Sequence, residues 1–419
     1  MPAEEYIRSL KCILCGNEYS EDDAGYVCPD HGYDGRLDVV YDYERIKNEW
    51  DRESLAASND NTIWRYRPLL PVGNDCARAG LPVGGTPLYH AARLGRELGL
   101  NNLYIKCDSS NPTASLKDRA SIIGVIKAIE NNMPVIAAAS SGNAAASLAG
   151  VAASFGIKSV LFVPRTAPEE KVAQMCLYGA VVFLVNDTYD TAFDLCLRAS
   201  EEFGWYSRNT GYNPYLSEGK KTVVLEVMEQ LDWESPDRIF VPVGDGCILG
   251  GVGKGVRDLQ AIGWITKIPK LTGVEASGAA ALYNAWEKGD ENIIEVKPDT
   301  IADSIAVGLP RDGIKALRAV RETNGEFIKV SDEEIIKAMK LLAEYSGIFA
   351  EPAAAASLAG LVQMVDNKSI DREEKVIILI TGSGLKDVKS AIKAASLPIE
   401  VEPDFDSIKR AVGKAGIDK

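Results

Sequence analysis

Positive charge is in short supply in this 419-residue chain, where 46 Lys and Arg stand against 60 Asp and Glu for a formal net charge of −14. A protein that grips nucleic acid without reading its sequence needs a basic face, and so does one held on an anionic membrane surface. Both classes are set aside on that ground. Long apolar runs are missing too, and no stretch approaches the roughly 20 residues that span a bilayer. The first residues, Met1-Pro-Ala-Glu-Glu, have neither the basic nor the apolar region of a signal peptide, so a cytoplasmic location is expected. Histidine is down to two residues. What is present is ordinary: 46% hydrophobic and 25% charged residues, the balance of a folded chain long enough for two domains and a small appendage. In a reducing compartment the eight cysteines are expected to be free thiols or metal ligands rather than disulfides.

Four residues of ligand type fall early. Cys12-Ile-Leu-Cys15 and Cys28-Pro-Asp-His31 are two pairs, each separated by two residues. That spacing lets two turns present four ligands to one tetrahedral Zn²⁺. Two readings stay open here: a closed structural zinc site on Cys12, Cys15, Cys28 and His31, or a ribbon that keeps the turns and has lost the metal. Residues 41–70 are charged and aromatic and read as a linker and packing segment. Gly84-Gly-Thr-Pro87 reads as a turn into an extended run.

From residue 103 the pattern becomes regular. Short apolar runs at 103–106, 134–139, 159–164, 181–185, 204–207, 238–243, 271–275 and 375–381 predict buried strands. Helical spacing fills 121–129, 144–155, 168–177 and 189–203. Such alternation predicts an α/β fold with two open parallel-sheet domains, which take ligands at the carboxyl ends of their strands.

Four loops at strand ends carry chemistry. Asn111-Pro-Thr-Ala-Ser-Leu-Lys-Asp-Arg-Ala120 puts Lys117 at a strand-to-helix junction, where the positive end of the helix dipole and burial favour the neutral amine. A neutral amine attacks an aldehyde to form a Schiff base; taken alone, Lys117 reads rather as a solvated charge, and the other loops have to decide. Ser140-Ser-Gly-Asn143 opens a helix and suits a carboxylate or another anion, or simply caps the helix. Val243-Gly-Asp-Gly-Cys-Ile-Leu-Gly-Gly-Val-Gly253 is a glycine-rich strand-to-helix loop that lets backbone approach a phosphate, although it is neither a Walker A motif nor a good GxGxxG. Thr381-Gly-Ser-Gly-Leu-Lys-Asp387 ends the last strong strand and offers a hydroxyl.

An imine-forming lysine, a phosphate loop, an anion loop and a terminal hydroxyl describe a pyridoxal 5′-phosphate enzyme. The chain resembles the threonine synthase family, within the tryptophan-synthase-β-like, fold-type II group. The resemblance runs nearly end to end through the cysteine ribbon, Trp64-Arg-Tyr66, Gly84-Gly-Thr-Pro87, Asn111-Pro-Thr113 with Lys117-Asp-Arg119, Ser141-Gly-Asn143, Glu218-Gly-Lys-Lys-Thr222, Glu351-Pro-Ala353 and the 381–387 loop. It implies that Lys117 carries the cofactor and moves protons on the substrate, and that Asn143 bonds the cofactor's 3′-oxygen. The backbone of Gly244, Asp245, Gly246, Cys247 and Ile248 would hold its phosphate, and Thr381 would face its pyridine nitrogen. Ser140, Ser141, Gly142 and Asn143 would receive the substrate. The implied layout is a zinc-ribbon-like segment (1–45), a large cofactor-binding domain (46–112 and 216–419) and a small α/β domain (113–215), with the cofactor between the two domains and a homodimer as the assembly. The implied reaction takes O-phosphohomoserine and water to threonine and phosphate.

The chain departs from the family pattern where the substrate's phosphate would sit. Ala144 replaces a threonine, Gly211 a serine and Leu216 an arginine, with Lys220, Lys221 and Arg208 as candidate replacement cations. The lysine motif has Ala114, Leu116 and Ala120 where the family has Gly, Phe and Gly. The alternative is therefore a paralogue working on an unphosphorylated amino acid, by dehydratase or ammonia-lyase-type elimination or by β-replacement. A third reading, from another class, is a non-catalytic binding protein that uses the ribbon as its interaction surface.

Overall fold

The computed structural model describes residues 6–73, 80–415 and 417 and contains three sheets. The Met1-to-Glu5 stretch lies outside the described residues. The first sheet is small and antiparallel, with Ile7–Cys12 between Glu18–Tyr19 and Leu37–Tyr41. Leu37, Val39 and Tyr41 are buried while Asp38 and Val40 are less so, the alternation of a strand with one face on a core.

The second sheet has six strands in the order Glu326–Val330, Lys270–Ala276, Arg238–Pro242, Lys375–Ile380, Asn102–Cys107 and Leu88–His90. All neighbours are parallel except the last pair. Its interior strand Lys375–Ile380 is buried on both faces, which is why it reads as an unbroken apolar run. The third sheet is fully parallel, ordered Val181–Val185, Lys158–Pro164, Val135–Ala139 and Tyr206–Ser207. The α/β class with two parallel sheets is thus as expected.

Two local expectations need correction. Residues 41–70 are not a linker: they form the helices Tyr43–Glu49 and Arg52–Ala56 and the 3₁₀ segment Ile63–Leu69. Asp42 caps the first by accepting from the Arg45 N–H, and Asp51 with Ser54 forms a reciprocal capping box on the second. The strand Glu326–Val330 was not anticipated, although it lies just after Gly325 and just before another capping box, Ser331 with Glu334.

Four helices bear on the strand ends: Lys117–Glu130, Asn143–Phe155, Leu216–Gln230 and Cys247–Ala261. Leu216–Gln230 is buried over almost its whole length and packs between Lys117–Glu130 and Cys247–Ala261. A helix buried all round displays no simple polar stripe. No described helix is long and apolar enough to cross a membrane.

Candidate active site

Lys117 is the first residue of its helix, and the two charged residues after it explain how it is held. Asp118 turns back to accept from the Thr113 N–H at 2.7 Å and from the Thr113 hydroxyl, closing the loop in front of the lysine. Arg119 points the other way into the core. Its guanidinium reaches Asp108 Oδ2 and Glu226 Oε1, each at 2.6 Å, and also Thr222 and Thr86. Lys106 Nζ reaches the same Glu226 at 2.6 Å. Burial pushes the Glu226 carboxyl up, but Arg119 and Lys106 outweigh it and hold it at about 2. The motifs around Thr86, Lys117 and Thr222, far apart in sequence, are therefore one buried ion network.

The loop is also stitched to the end of strand Lys375–Ile380. Leu116 N donates to Thr381 O at 2.9 Å and Ser383 N to Ala114 O at 3.1 Å. Ala114, which stands where the family has glycine, sits at φ +64°, in the left-handed region that disfavours a Cβ.

Lys117 faces a cavity of about 250 Å³. The structure brings every site residue expected outside the ribbon to this cavity: Lys117, Ser140, Ser141, Gly142, Asn143, Thr381 and the run from Gly244 to Ile248. Ser140 and Ser141 lie between strand Val135–Ala139 and helix Asn143–Phe155, with the Ser140 hydroxyl accepting from Gly142 N at 3.1 Å. The Asn143 amide nitrogen donates to Glu351 Oε1 at 2.7 Å, and its Oδ1 has no partner among the described residues. Glu351, quoted above only as part of a motif, is the group that orients Asn143.

Across the cavity, Gly246 precedes helix Cys247–Ala261 at φ +85°, and a Cβ there would lie 2.9 Å from Asp312 O, so only glycine fits. The helix's leading N–H groups have no partner inside the helix and open on the cavity, which makes an anion cradle. The Asp245 carboxylate accepts from the Arg311 N–H at 3.2 Å, which braces the cradle wall. Burial pushes the Cys247 thiol up to about 12, so its backbone and not a thiolate is what it offers.

Two lysines meet at the cavity, whose wall also includes Asp245, Asp303 and Glu351. Burial and the neighbouring Lys220 ammonium lower Lys117 to about 8, so about a tenth of the amine is neutral at pH 7. Lys220 is 1% exposed, and its Nζ has no hydrogen-bond partner among the described residues. Of the other candidate cations, Lys221 is consumed by buried contacts to Glu218 and Asp258. Arg208 lies against Ser121 and Thr210, with burial lowering it to about 10.

Sequence reasoning missed Lys171, Asp303, Ser304 and Arg311, which also line or abut the cavity. They come from a helix surface and from the segment before helix Gly313–Glu322, where no apolar pattern or glycine cluster singles them out. Arg311 bears on one departure noted above. Gly211 lies at φ +69°, and a Cβ there would sit 2.5 Å from Arg311 Cβ, so the approach of Arg311 explains why a serine is not tolerated.

Residues 80–382 match the family described as pyridoxal-phosphate dependent enzyme. The chain is 40% identical to the threonine synthase of Methanocaldococcus jannaschii, over 96% of this chain and 98% of that one. It is 34% identical to the threonine synthase of Mycobacterium bovis, over 81% and 93%. Among solved structures, the processed form of threonine deaminase isoform 2 from Solanum lycopersicum superposes with a TM-score of 0.64 at 24% identity, over 74% of this chain and 87% of that one, a likeness of fold.

Proposed function

The chain belongs to the threonine synthase family of pyridoxal-phosphate-dependent enzymes, and from that premise we propose that it converts O-phosphohomoserine and water into threonine and phosphate. The observation that carries the reading is the pairing of Lys117, lowered to about 8, with a buried Lys220 ammonium that lacks a partner. A buried cation without a hydrogen-bond partner is costly, and an anionic ligand relieves that cost. The relatives, 40% and 34% identical threonine synthases, disfavour the paralogue reading.

The residues fit the cofactor. The cradle at Gly246 would take its phosphate, the Asn143 amide nitrogen would donate to its ring oxygen, and the Thr381 hydroxyl would face its ring nitrogen. When bound, pyridoxal 5′-phosphate supplies an aldehyde for the lysine amine and a ring that delocalises carbanion charge. A hydroxyl at the ring nitrogen does not hold a proton there, which favours elimination and replacement over transamination.

The rest falls to the chain's own groups. The amine of Lys117, with a pKa about one unit above neutrality, both takes and returns protons at the substrate carbons. Ser140, Ser141 and the N–H groups at the start of helix Asn143–Phe155 receive the substrate carboxylate. Lys220 takes over from the missing arginine at Leu216: the two are four residues apart on helix Leu216–Gln230 and so share a face. One charge-assisted hydrogen bond to a buried anion is worth about 1.5–3 kcal/mol, enough to restore much of what an arginine supplies. We also infer a homodimer, a reading that rests on the family resemblance and that light scattering on the purified chain tests.

Product analysis tests the function. The holoenzyme given O-phosphohomoserine should release phosphate and threonine in equal amounts. Release of neither, or of ammonia and a 2-oxo acid instead, contradicts it.

A further inference from the structure

The ribbon gathers four ligand atoms that the reaction does not use. Cys12, Cys15, Cys28 and His31 bring three Sγ atoms and one ring nitrogen within 4.8 Å of one another. The Cys15 and Cys28 sulfurs are 4.0 Å apart, and Cys28 Sγ is 3.5 Å from His31 Nδ1. A disulfide needs about 2.05 Å between sulfurs, so these thiols are not bonded to each other. Tetrahedral zinc with bonds of about 2.3 Å to sulfur and about 2.0–2.1 Å to nitrogen sets edges of roughly 3.8 Å and 3.6 Å. The observed spacings match those edges.

The turns are those of a metal knuckle. Gly16 N donates to Cys12 O at 2.9 Å and Gly32 N to Cys28 O at 2.9 Å, so each pair is folded back on itself. Leu14 N donates to Cys12 Sγ at 3.4 Å, the backbone contact that stabilises a thiolate. Three thiolates and one imidazole form a soft set that selects Zn²⁺ over Mg²⁺ or Ca²⁺.

The same ribbon touches the wall of the phosphate cradle. Arg36, directly after the second knuckle, donates Nε to Arg311 O at 2.9 Å. Lys315 Nζ donates to Leu37 O at 2.7 Å and pairs with Asp38 at 2.6 Å, and Arg318 reaches Ile13 O. Arg311 and Asp312 in turn hold Asp245 and close over Gly246. We propose that Cys12, Cys15, Cys28 and His31 bind one Zn²⁺, and that the loaded ribbon braces the cofactor-phosphate cradle through Arg36 and Lys315. Binding releases the three thiol protons to solvent and involves no redox change.

The test uses the full chain, grown with added zinc. Metal analysis should find about one zinc per chain, and the cobalt-substituted protein should show the strong visible bands of tetrahedral thiolate coordination. Cys15→Ser and His31→Ala alter exposed ligands and should abolish stoichiometric zinc while the chain stays folded by circular dichroism. In both variants the dissociation constant for pyridoxal phosphate should rise by about tenfold, the size of a typical coupling between sites. A zinc-free wild type with intact thiols overturns the site, as does full zinc retention in both variants. Loss of zinc with the cofactor constant unchanged overturns the brace. None of these readouts depends on which amino acid is the substrate.

Discussion

Lys117 and Arg119 are two residues apart on one helix, and Lys220 and Glu226 share another, yet the two sides of this pair of helices are built on opposite rules. On the core side Arg119, Lys106, Asp108 and Glu226 answer each other charge for charge, with contacts of 2.6 Å. On the cavity side Lys220 stands close enough to Lys117 to disfavour its proton, and no carboxylate bonds Lys220 among the described residues. Burial is similar, so desolvation alone does not decide which charges are paired. The protein pairs the charges that hold the loop by direct contact and leaves the Lys220 amine at the cavity without a hydrogen-bond partner among the described residues.

Breaking the cavity side should have the largest effect. Lys117→Ala removes the imine-forming amine, so borohydride reduction and mass spectrometry should find no cofactor on residue 117, and turnover should fall by at least ~10³-fold. Breaking the core side should cost stability instead: Arg119→Met strands two buried carboxylates, and denaturant unfolding should show a loss of about 3–5 kcal/mol. Lys220→Gln sharpens the contrast, raising KM for O-phosphohomoserine by about 10–100-fold, as expected for one charge-assisted contact, with a smaller change in kcat.

The pH dependence comes next. Because the Lys117 amine is lowered to about 8, the rate at which the apoprotein takes up pyridoxal phosphate should rise with pH up to about 8 and level off above. Below that value the ammonium dominates, and the rate should fall about tenfold per unit. An uptake rate still climbing between pH 9 and 10 would show that the lysine is not perturbed. The smallest effect is local: Ala114→Gly relieves a φ of +64° and should raise stability by about 1 kcal/mol, read as a higher Tm with unchanged KM.

How much of this was legible in the sequence follows the range of the interactions. Strands such as Lys375–Ile380 and the loops at Ser140, Gly244 and Thr381 announce themselves through local apolar runs and glycines, and the structure gathers them at one cavity. The role of Arg119 could not be read locally, because its partners Asp108 and Glu226 lie 11 and 107 residues away. Gly211 read as a lost ligand, while its cause, the backbone approach of Arg311, is set by tertiary packing. Among Lys220, Lys221 and Arg208 the sequence offers no ranking, since only the fold turns Lys221 onto Asp258 and leaves Lys220 facing the cavity. The helices within 41–70 were readable after all, through the caps at Asp42 and Asp51.

The most direct test of the unpaired cation is calorimetric titration of inorganic phosphate, a product of the proposed reaction, into the cofactor-loaded wild type and Lys220→Gln. Saturable phosphate binding in the wild type, weakened at least about tenfold in the variant, is the predicted result. Equal affinity in the two proteins, or no binding to the wild type, would contradict the assignment of Lys220 as the group that receives the substrate's phosphate.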